Sequence, residues 1–189
     1  MLRKIFVFGL VSIALSGCAS SGNLNRETPP SGTKVVVVEF SDFNCPACKA
    51  ASELVKNLED IPNLYIEFRH RPLPIQGHET SPIAANAYEC AKTQNFGREM
   101  ESALFENQGK FSNDFFLQIP MLYNFGANFD AAKFKQCVEG DEFGGLVTSD
   151  SAFAENHGIN STPTFFVNGV KTNRADLATT IQAVFDAVK

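Results

Sequence analysis

Two cysteines three positions apart mark the point where the first predicted strand passes into the first predicted helix. Residues 35–40 form a continuous β-branched and aromatic run, which is typical of a strand buried on both faces of a sheet. The following apolar spacing predicts a helix over residues 46–58, with Pro46 in the first turn, where a missing N–H is tolerated. Cys45 and Cys48 therefore lie on one face at the helix start, where their sulfur atoms can bond.

The next part of the chain changes from strand to helix signals. A second strand is predicted over residues 64–70, so that strand, helix and strand form a βαβ unit. Between about residues 77 and 158, apolar residues recur at helical spacing and strand signals vanish. Within this insertion the clearest helical patterns cover residues 83–91, 100–104 and 129–138.

The last part of the chain returns to strand signals. Asn168-Gly169, between residues 164–167 and 170–172, is a strong signal for a β-hairpin. A closing helix is predicted over residues 175–188. The sequence therefore predicts an α/β fold in which a helical insertion separates a βαβ half from a ββα half.

Redox chemistry is the function that the C-x-x-C spacing favours. Cys45 lies in the N-cap region, where free N–H groups and the helix dipole stabilise a thiolate. Cys48, one turn into the helix, is expected to be less exposed and less acidic. This predicts Cys45 as the sulfur that exchanges with a partner and Cys48 as the resolving one. The alternatives are a zinc half-site, for which no second ligand pair at short spacing exists, and two inert core cysteines.

The N-terminus has the features of a secretory signal peptide. A basic start precedes an apolar run over residues 5–15, shorter than the roughly 18–20 residues of a membrane-spanning helix. The segment ending at Cys18 resembles a bacterial lipobox, so we expect removal of residues 1–17 and acylation of Cys18. A plain signal peptide with a coincidental cysteine is the alternative. Residues 18–33 are predicted to be a flexible tether before a domain over residues 34–189.

The composition restricts the classes of partner. The 189 residues are 44% hydrophobic, which suits one folded domain with a sizeable core. Sixteen basic residues against 21 acidic ones give a net charge of −5, so the chain lacks the positive footprint of a nucleic-acid-binding protein. We expect a monomer with no nucleic-acid partner, no metal and no cofactor.

Two segments resemble the DsbA-like branch of the thioredoxin superfamily. They are Glu39-Phe40-Ser41-Asp42-Phe43-Asn44-Cys45-Pro46-Ala47-Cys48 and Ser161-Thr162-Pro163-Thr164-Phe165-Phe166-Val167-Asn168-Gly169, and the helical insertion between them is also a mark of that family. The resemblance covers residues 34–189. It implies a thioredoxin-like fold and a thiol:disulfide oxidoreductase that introduces disulfides into secreted or envelope proteins. With the lipobox, it implies a lipid-anchored protein on the periplasmic side of the inner or outer membrane of a bacterial cell.

The resemblance also assigns roles to individual residues and to partners. It implies that Pro163 is a cis-proline facing the active site and that Thr162 presents its backbone to a bound client cysteine. Reduced client proteins would form a mixed disulfide with Cys45, and a membrane redox partner would reoxidise the pair. An ordinary proline at the start of a strand is the alternative for Pro163.

Two features near the cysteines bear on how strongly the site oxidises. The resemblance implies that Glu39 is a buried acid near Cys48 that shuttles a proton, whereas a glutamate facing solvent is the alternative. Strongly oxidising members carry Pro-His between the cysteines, and this chain has Pro46-Ala47. Without the histidine the thiolate is less stabilised, so we expect a weaker oxidant.

Cys90 and Cys137, both in the helical insertion, complete the five cysteines of the chain. In an oxidising compartment two spare cysteines in one subdomain are expected to pair, and some members of the family have such a second bridge. Two buried free thiols are the alternative. Two other functions also stay open: a reductase or isomerase of the same compartment, and a non-catalytic surface-binding lipoprotein.

Overall fold

Four strands form a single sheet in the order β2-β1-β3-β4 in the computed structural model, which describes Leu24 and residues 26–73 and 76–188. β1 (Val35–Ser41) lies in the middle, parallel to β2 (Leu64–His70) and antiparallel to β3 (Thr164–Val167). β4 (Val170–Thr172) pairs with β3 at the other edge. Because β1 has neighbours on both sides and cover on both faces, its β-branched run is almost entirely buried.

The backbone of the turn between β3 and β4 restricts which residues can occupy it. Asn168 and Gly169 have φ angles of 45° and 82°, both in the left-handed region. A two-residue hairpin turn with two positive φ angles favours Asn followed by Gly, because these residues reach that region at the lowest steric cost. The Asn168 carboxamide also accepts a hydrogen bond from the backbone N–H of Val36 at 2.7 Å, which attaches the turn to the central strand.

Helices cover both faces of the sheet. Val35 and Val37 on one face of β1 pack against α1 (Pro46–Leu58) and α7 (Leu177–Ala187). On the other face, Val38 and Phe40 pack against Ala154 of the insertion. Five helices lie between β2 and β3 in the described part of the chain: Ser81–Lys92 (α2), Gly97–Glu106 (α3), Asn113–Leu122 (α4), Ala131–Glu139 (α5) and Gly144–Asn156 (α6). This is the α/β architecture that the sequence predicts.

Two of the insertion helices, α4 and α6, have no clear helical signal in the sequence. α4 contains Pro120 and leaves Met121 and Leu122 exposed at its end, so its apolar residues do not form one buried stripe. α6 begins with two glycines and turns Asp150, a charged residue, toward the interior. Contacts with the rest of the insertion therefore determine that these two segments are helical, more than the spacing of their own apolar residues does.

The described end of the expected tether is in contact with the domain. Arg26 donates to Asp150 of α6 at 2.8 Å, and its backbone N–H donates to Glu67 of β2 at 2.6 Å. Glu27 accepts hydrogen bonds from the Tyr65 hydroxyl and from Lys92, each at 2.8 Å. The flexible tether predicted for residues 18–33 is therefore wrong in this part, because charged side chains hold the segment on the domain.

The predicted signal peptide over residues 1–17 and the predicted acylation site Cys18 lie outside the described residues. No helix within the described ranges combines the length and the apolar character needed to cross a bilayer.

Candidate active site

The loop between β1 and α1 is held in place by a buried carboxylate. Asp42 is 2% exposed, and it accepts hydrogen bonds from the backbone N–H of Asn44 at 2.8 Å and of Leu73 at 2.7 Å. The Ser81 hydroxyl donates to the same carboxylate at 2.5 Å, and His78 Nδ1 lies 2.7 Å from it. The sequence indicated only a polar, cap-competent stretch here, because three of the four partners lie about 30 to 40 residues away.

Cys45 and Cys48 occupy different environments at the start of α1. Cys45 is the N-cap residue with an extended backbone and is 7% exposed, whereas Cys48, one turn into the helix, is fully buried. Both are free thiols in this structure, which is therefore the reduced form of the pair. The difference in exposure agrees with the one expected from their positions on the helix.

The two thiols differ in acidity in the direction that this placement favours. A hydrogen bond from the Cys48 thiol lowers the pKa of Cys45; burial opposes this, and Thr162 and the backbone N–H groups of Cys48 and Ala47 reinforce it. Burial in turn raises the pKa of Cys48 far above its usual range, and the hydrogen bond to Cys45 adds to the effect. The pair therefore holds its negative charge on Cys45.

The segment that begins at Ser161 meets the C-x-x-C segment at one end of the two central strands, β1 and β3. The peptide bond between Thr162 and Pro163 is cis, and the Cys45 thiol donates to the Thr162 carbonyl oxygen at 3.4 Å. Thr162 is 9% exposed, and Pro163 is half-buried directly before β3. The backbone at Thr162 thus lies beside Cys45 Sγ.

Glu39 is buried in the central strand. Its side chain is 2% exposed, and its residue pairs with Phe68 of β2 and Phe165 of β3. The alternative in which this glutamate faces solvent is therefore wrong. Burial raises the pKa of Glu39 to about 8, and the nearby carboxyl of Glu101 on α3 adds to the increase. The strand thus carries a carboxyl that holds its proton at neutral pH.

The insertion also contacts the active-site loop directly. Gln108, which follows α3, donates from its side-chain amide to the carbonyl oxygens of Phe43 at 2.8 Å and Cys45 at 2.9 Å. Both carbonyl groups belong to the loop directly before the first turn of α1. A lone glutamine after a helix carries no sequence signal, so this contact was not predicted.

The other cysteines lie away from this site or outside the described residues. Cys90 of α2 and Cys137 of α5 form a disulfide in the core of the insertion. Among the residues that the structure describes, no three His, Cys, Asp or Glu side chains cluster in a way that could hold a metal ion.

Comparison with known proteins supports the same fold. A family model described as thioredoxin matches residues 31–187. A solved thioredoxin-like oxidoreductase from Silicibacter pomeroyi DSS-3 is 27% identical, with a TM-score of 0.64 over 82% of this chain and 88% of that one. BdbD from Bacillus subtilis is 22% identical, with a TM-score of 0.69 over 83% and 90% of the two chains.

Curated relatives carry a similar segment inside longer proteins. A Na⁺/H⁺ antiporter NhaA 1 from Salinispora arenicola is 32% identical over 145 residues, which are 76% of this chain and 21% of that protein. The chain thus spans about a fifth of the length of the curated relatives that it matches. The family assignment rests on the thioredoxin model, which covers most of the chain. With the βαβ and ββα halves, the C-x-x-C at the start of α1 and the cis-proline before β3, this chain belongs to the thioredoxin family and has the DsbA-like form of its fold.

Proposed function

We propose that this protein is a thiol:disulfide oxidoreductase that introduces disulfides into secreted or envelope proteins. The observation that carries the proposal is the arrangement at Cys45. Its thiol lies at the N-terminus of α1, opposite the Thr162 carbonyl, and its pKa is lowered while that of buried Cys48 is raised. This asymmetry favours one exchanging sulfur and one resolving sulfur.

The reaction starts from the oxidised pair. A client thiolate attacks Cys45 Sγ, the Cys45–Cys48 bond breaks, and its electron pair stays on Cys48 Sγ, which takes up a proton. The resulting mixed disulfide lies beside Thr162-Pro163, where the Thr162 backbone is placed to hold the client segment. A second client thiolate then attacks the client sulfur, so the client leaves with a disulfide and Cys45 leaves as a thiolate.

The direction of exchange follows from the stability of that thiolate. Interactions that lower the pKa of Cys45 stabilise the reduced enzyme and so favour transfer of the disulfide to clients. Ala47 is exposed and offers no side-chain donor, so the enzyme is a weaker oxidant than relatives with Pro-His between the cysteines. A membrane redox partner restores the disulfide by removing two electrons and two protons.

The proposed location is the bacterial cell envelope, on the periplasmic side of the inner or outer membrane. The lipobox-like segment before Cys18 supports a lipid anchor at that residue. The Cys90–Cys137 disulfide supports an oxidising compartment, where such a bridge persists. Metabolic labelling with palmitate and a Cys18→Ser variant test the anchor, because the variant is expected to lose both the label and membrane association.

Refolding of a reduced client with several cysteines tests the activity. The oxidised enzyme is expected to form client disulfides, and Cys45→Ser is expected to abolish this. Activity only on a scrambled, fully oxidised client would identify an isomerase. Equal inactivity of the wild type and the variant in both assays would favour a binding protein on the same fold.

A further inference from the structure

Ser41, the last residue of β1, has a buried hydroxyl with no hydrogen-bond partner among the described residues. It is 1% exposed, and no described group lies in hydrogen-bonding geometry with its Oγ. A buried hydroxyl without a partner destabilises the folded state, and such groups are uncommon in native proteins. The fold itself has no evident need of this hydroxyl, so its position calls for a functional explanation.

The strand places Ser41 next to Glu39, on the face that packs against the helix carrying Cys48. Alternation along β1 puts Ser41 on the same face as Glu39 and Val37, and this face packs against α1. Cys48 lies fully buried in the first turn of that helix. Ser41 follows Glu39 in the direction of the strand's C-terminal end, which is the end where the cysteines lie.

The acidity of both neighbours reflects the proximity of this hydroxyl. For Glu39, burial and the Glu101 carboxyl raise the pKa, and Ser41 acts in the opposite direction. For Cys48, burial and Cys45 raise the pKa, and the hydroxyls of Ser41 and Thr162 lower it. These effects on pKa agree with the position of Ser41 on the face of β1 that carries Glu39 and packs against α1.

We propose that the Ser41 hydroxyl relays a proton between the Glu39 carboxyl and Cys48 Sγ during disulfide exchange. This inference rests on the proposed function, because it assigns a catalytic residue to that reaction. The hydroxyl lacks a partner in the dithiol form because its partner is the Cys48 thiolate, which exists only during exchange.

The relay balances protons and electrons. When a client thiolate attacks Cys45 Sγ, the electron pair of the broken S–S bond moves to Cys48 Sγ. Ser41 donates its hydroxyl proton to that sulfur, and its oxygen receives the proton of the Glu39 carboxyl. The products are the Cys48 thiol, the Glu39 carboxylate and an unchanged serine. Reoxidation reverses the transfer, with Glu39 taking the proton back as Cys48 attacks.

Other groups face the same site without forming a second path. Thr162 also has a buried, unpartnered hydroxyl, and it acts on Cys48 but is not among the groups that act on Glu39. Glu101 of α3 and Glu59 at the end of α1 act on Glu39 through their charge. Both of these carboxyl groups oppose loss of the proton from Glu39. Among the described hydroxyl groups, that of Ser41 is the one that acts on the pKa of both Glu39 and Cys48.

Ser41→Ala tests the relay, with Ser52→Ala as the matched control. Ser52 is also a buried serine, but its hydroxyl donates to the Lys49 carbonyl of its own helix at 2.9 Å. The readout is the rate at which reduced glutathione reacts with the oxidised enzyme between pH 5 and pH 9. Loss of a hydrogen bond to a charged sulfur predicts a rate about 10- to 100-fold lower for Ser41→Ala at neutral pH. The control is expected to react like the wild type.

Two further measurements separate a relay from a structural role. Because the hydroxyl has no partner, the reduced Ser41→Ala protein is expected to unfold at the same or a higher temperature than the wild type. In the Glu39→Gln background, adding Ser41→Ala is expected to slow the reaction less than twofold, since the path is already interrupted. A wild-type rate in Ser41→Ala, a lower unfolding temperature, or additive effects in the double variant would each overturn the relay.

The glutathione assay also separates this proposal from the proposed function. It requires only exchange at Cys45 and does not depend on the client or on the direction of net oxidation. If the wild type reacts no faster than Cys45→Ser, the proposed function fails. If the wild type reacts and Ser41→Ala equals it, the relay alone fails.

Discussion

Glu39, a buried carboxyl in the central strand, makes the stability of the fold depend on pH. Its pKa is raised to about 8 by burial, so the folded state keeps a proton that the unfolded chain loses above about pH 4. The stabilising contribution is fully present below the unfolded pKa and is lost as the pH rises through about 8. At neutral pH the buried Glu39 carboxyl therefore destabilises the fold relative to a side chain that does not titrate.

Glu39→Gln is expected to stabilise the reduced protein because the buried amide does not have to take up a proton. The gain should be of the order of 3 kcal/mol at pH 7 and should approach zero near pH 4. Urea unfolding at a series of pH values measures it, and Glu53→Gln, on the exposed side of α1, serves as the control. A gain that does not change with pH would contradict the assignment of a raised pKa to Glu39.

We expect the residue between Pro46 and Cys48 to influence how strongly the site oxidises. Ala47→His adds a side chain that can stabilise the Cys45 thiolate, so we expect a lower Cys45 pKa and a stronger oxidant. A change of about tenfold in the equilibrium constant with glutathione corresponds to about 30 mV in reduction potential. Ala47→Gln controls for side-chain size, and an equal shift in both variants would assign the effect to packing instead.

At the scale of the elements, a side chain that follows α3 in the insertion contacts the active-site loop. Gln108→Ala removes two hydrogen bonds to the carbonyls of Phe43 and Cys45, and both carbonyls lie in a largely buried loop. We expect a loss of about 1–3 kcal/mol in the free energy of unfolding and slower exchange at Cys45.

Gln118→Ala is the matched control for this prediction. Its amide donates to the Asp114 carbonyl on the exposed side of α4 at 3.1 Å, so its loss is expected to change stability by less than about 0.5 kcal/mol. Urea unfolding and alkylation of Cys45 measure both effects. Equal stability of the two variants would mean that the insertion does not support the loop.

The elements also show how far the sequence could predict this molecule. Strand β1, helix α1 and the Asn168-Gly169 hairpin were predictable because their signals are local: a β-branched run, a proline in the first turn and a turn that needs positive φ angles. Asp42 and Gln108 were missed as functional residues because their partners are distant in the chain or are backbone carbonyls. Local patterns place the cysteines, whereas tertiary contacts place the groups that hold them.

At the scale of the whole molecule, a network of buried charges joins three parts of the chain. Asp150 of α6 accepts hydrogen bonds from Arg69 of β2 at 2.8 Å and from Arg26 at 2.8 Å. Arg26 also lies 3.2 Å from Glu89 of α2. The N-terminal segment, the sheet and the insertion therefore meet at one cluster in which each charge is paired.

The position of Arg26 also limits the reach of the proposed lipid anchor. Arg26 is eight positions after Cys18 in the sequence, and a fully extended segment of that length spans at most about 29 Å. If Cys18 is acylated as proposed, the domain stays close to the membrane surface, because the remainder of the expected tether is held on the domain. The ion pairs of Arg26 then fix how far the redox site can move from the bilayer.

Arg26→Ala is expected to lower the free energy of unfolding by about 2–4 kcal/mol, since it leaves buried carboxylates with fewer partners. Arg98→Ala removes an arginine that is 60% exposed and pairs with Glu59, so its effect should stay within about 1 kcal/mol. Urea unfolding compares the two variants, and protease cleavage near residue 30 reports whether the segment has detached. Arg26→Ala should be cleaved faster at equal folded population. If its stability and cleavage match those of Arg98→Ala, the ion pairs of Arg26 do not hold the N-terminal segment on the domain. The redox site could then move farther from the membrane than the distance given above.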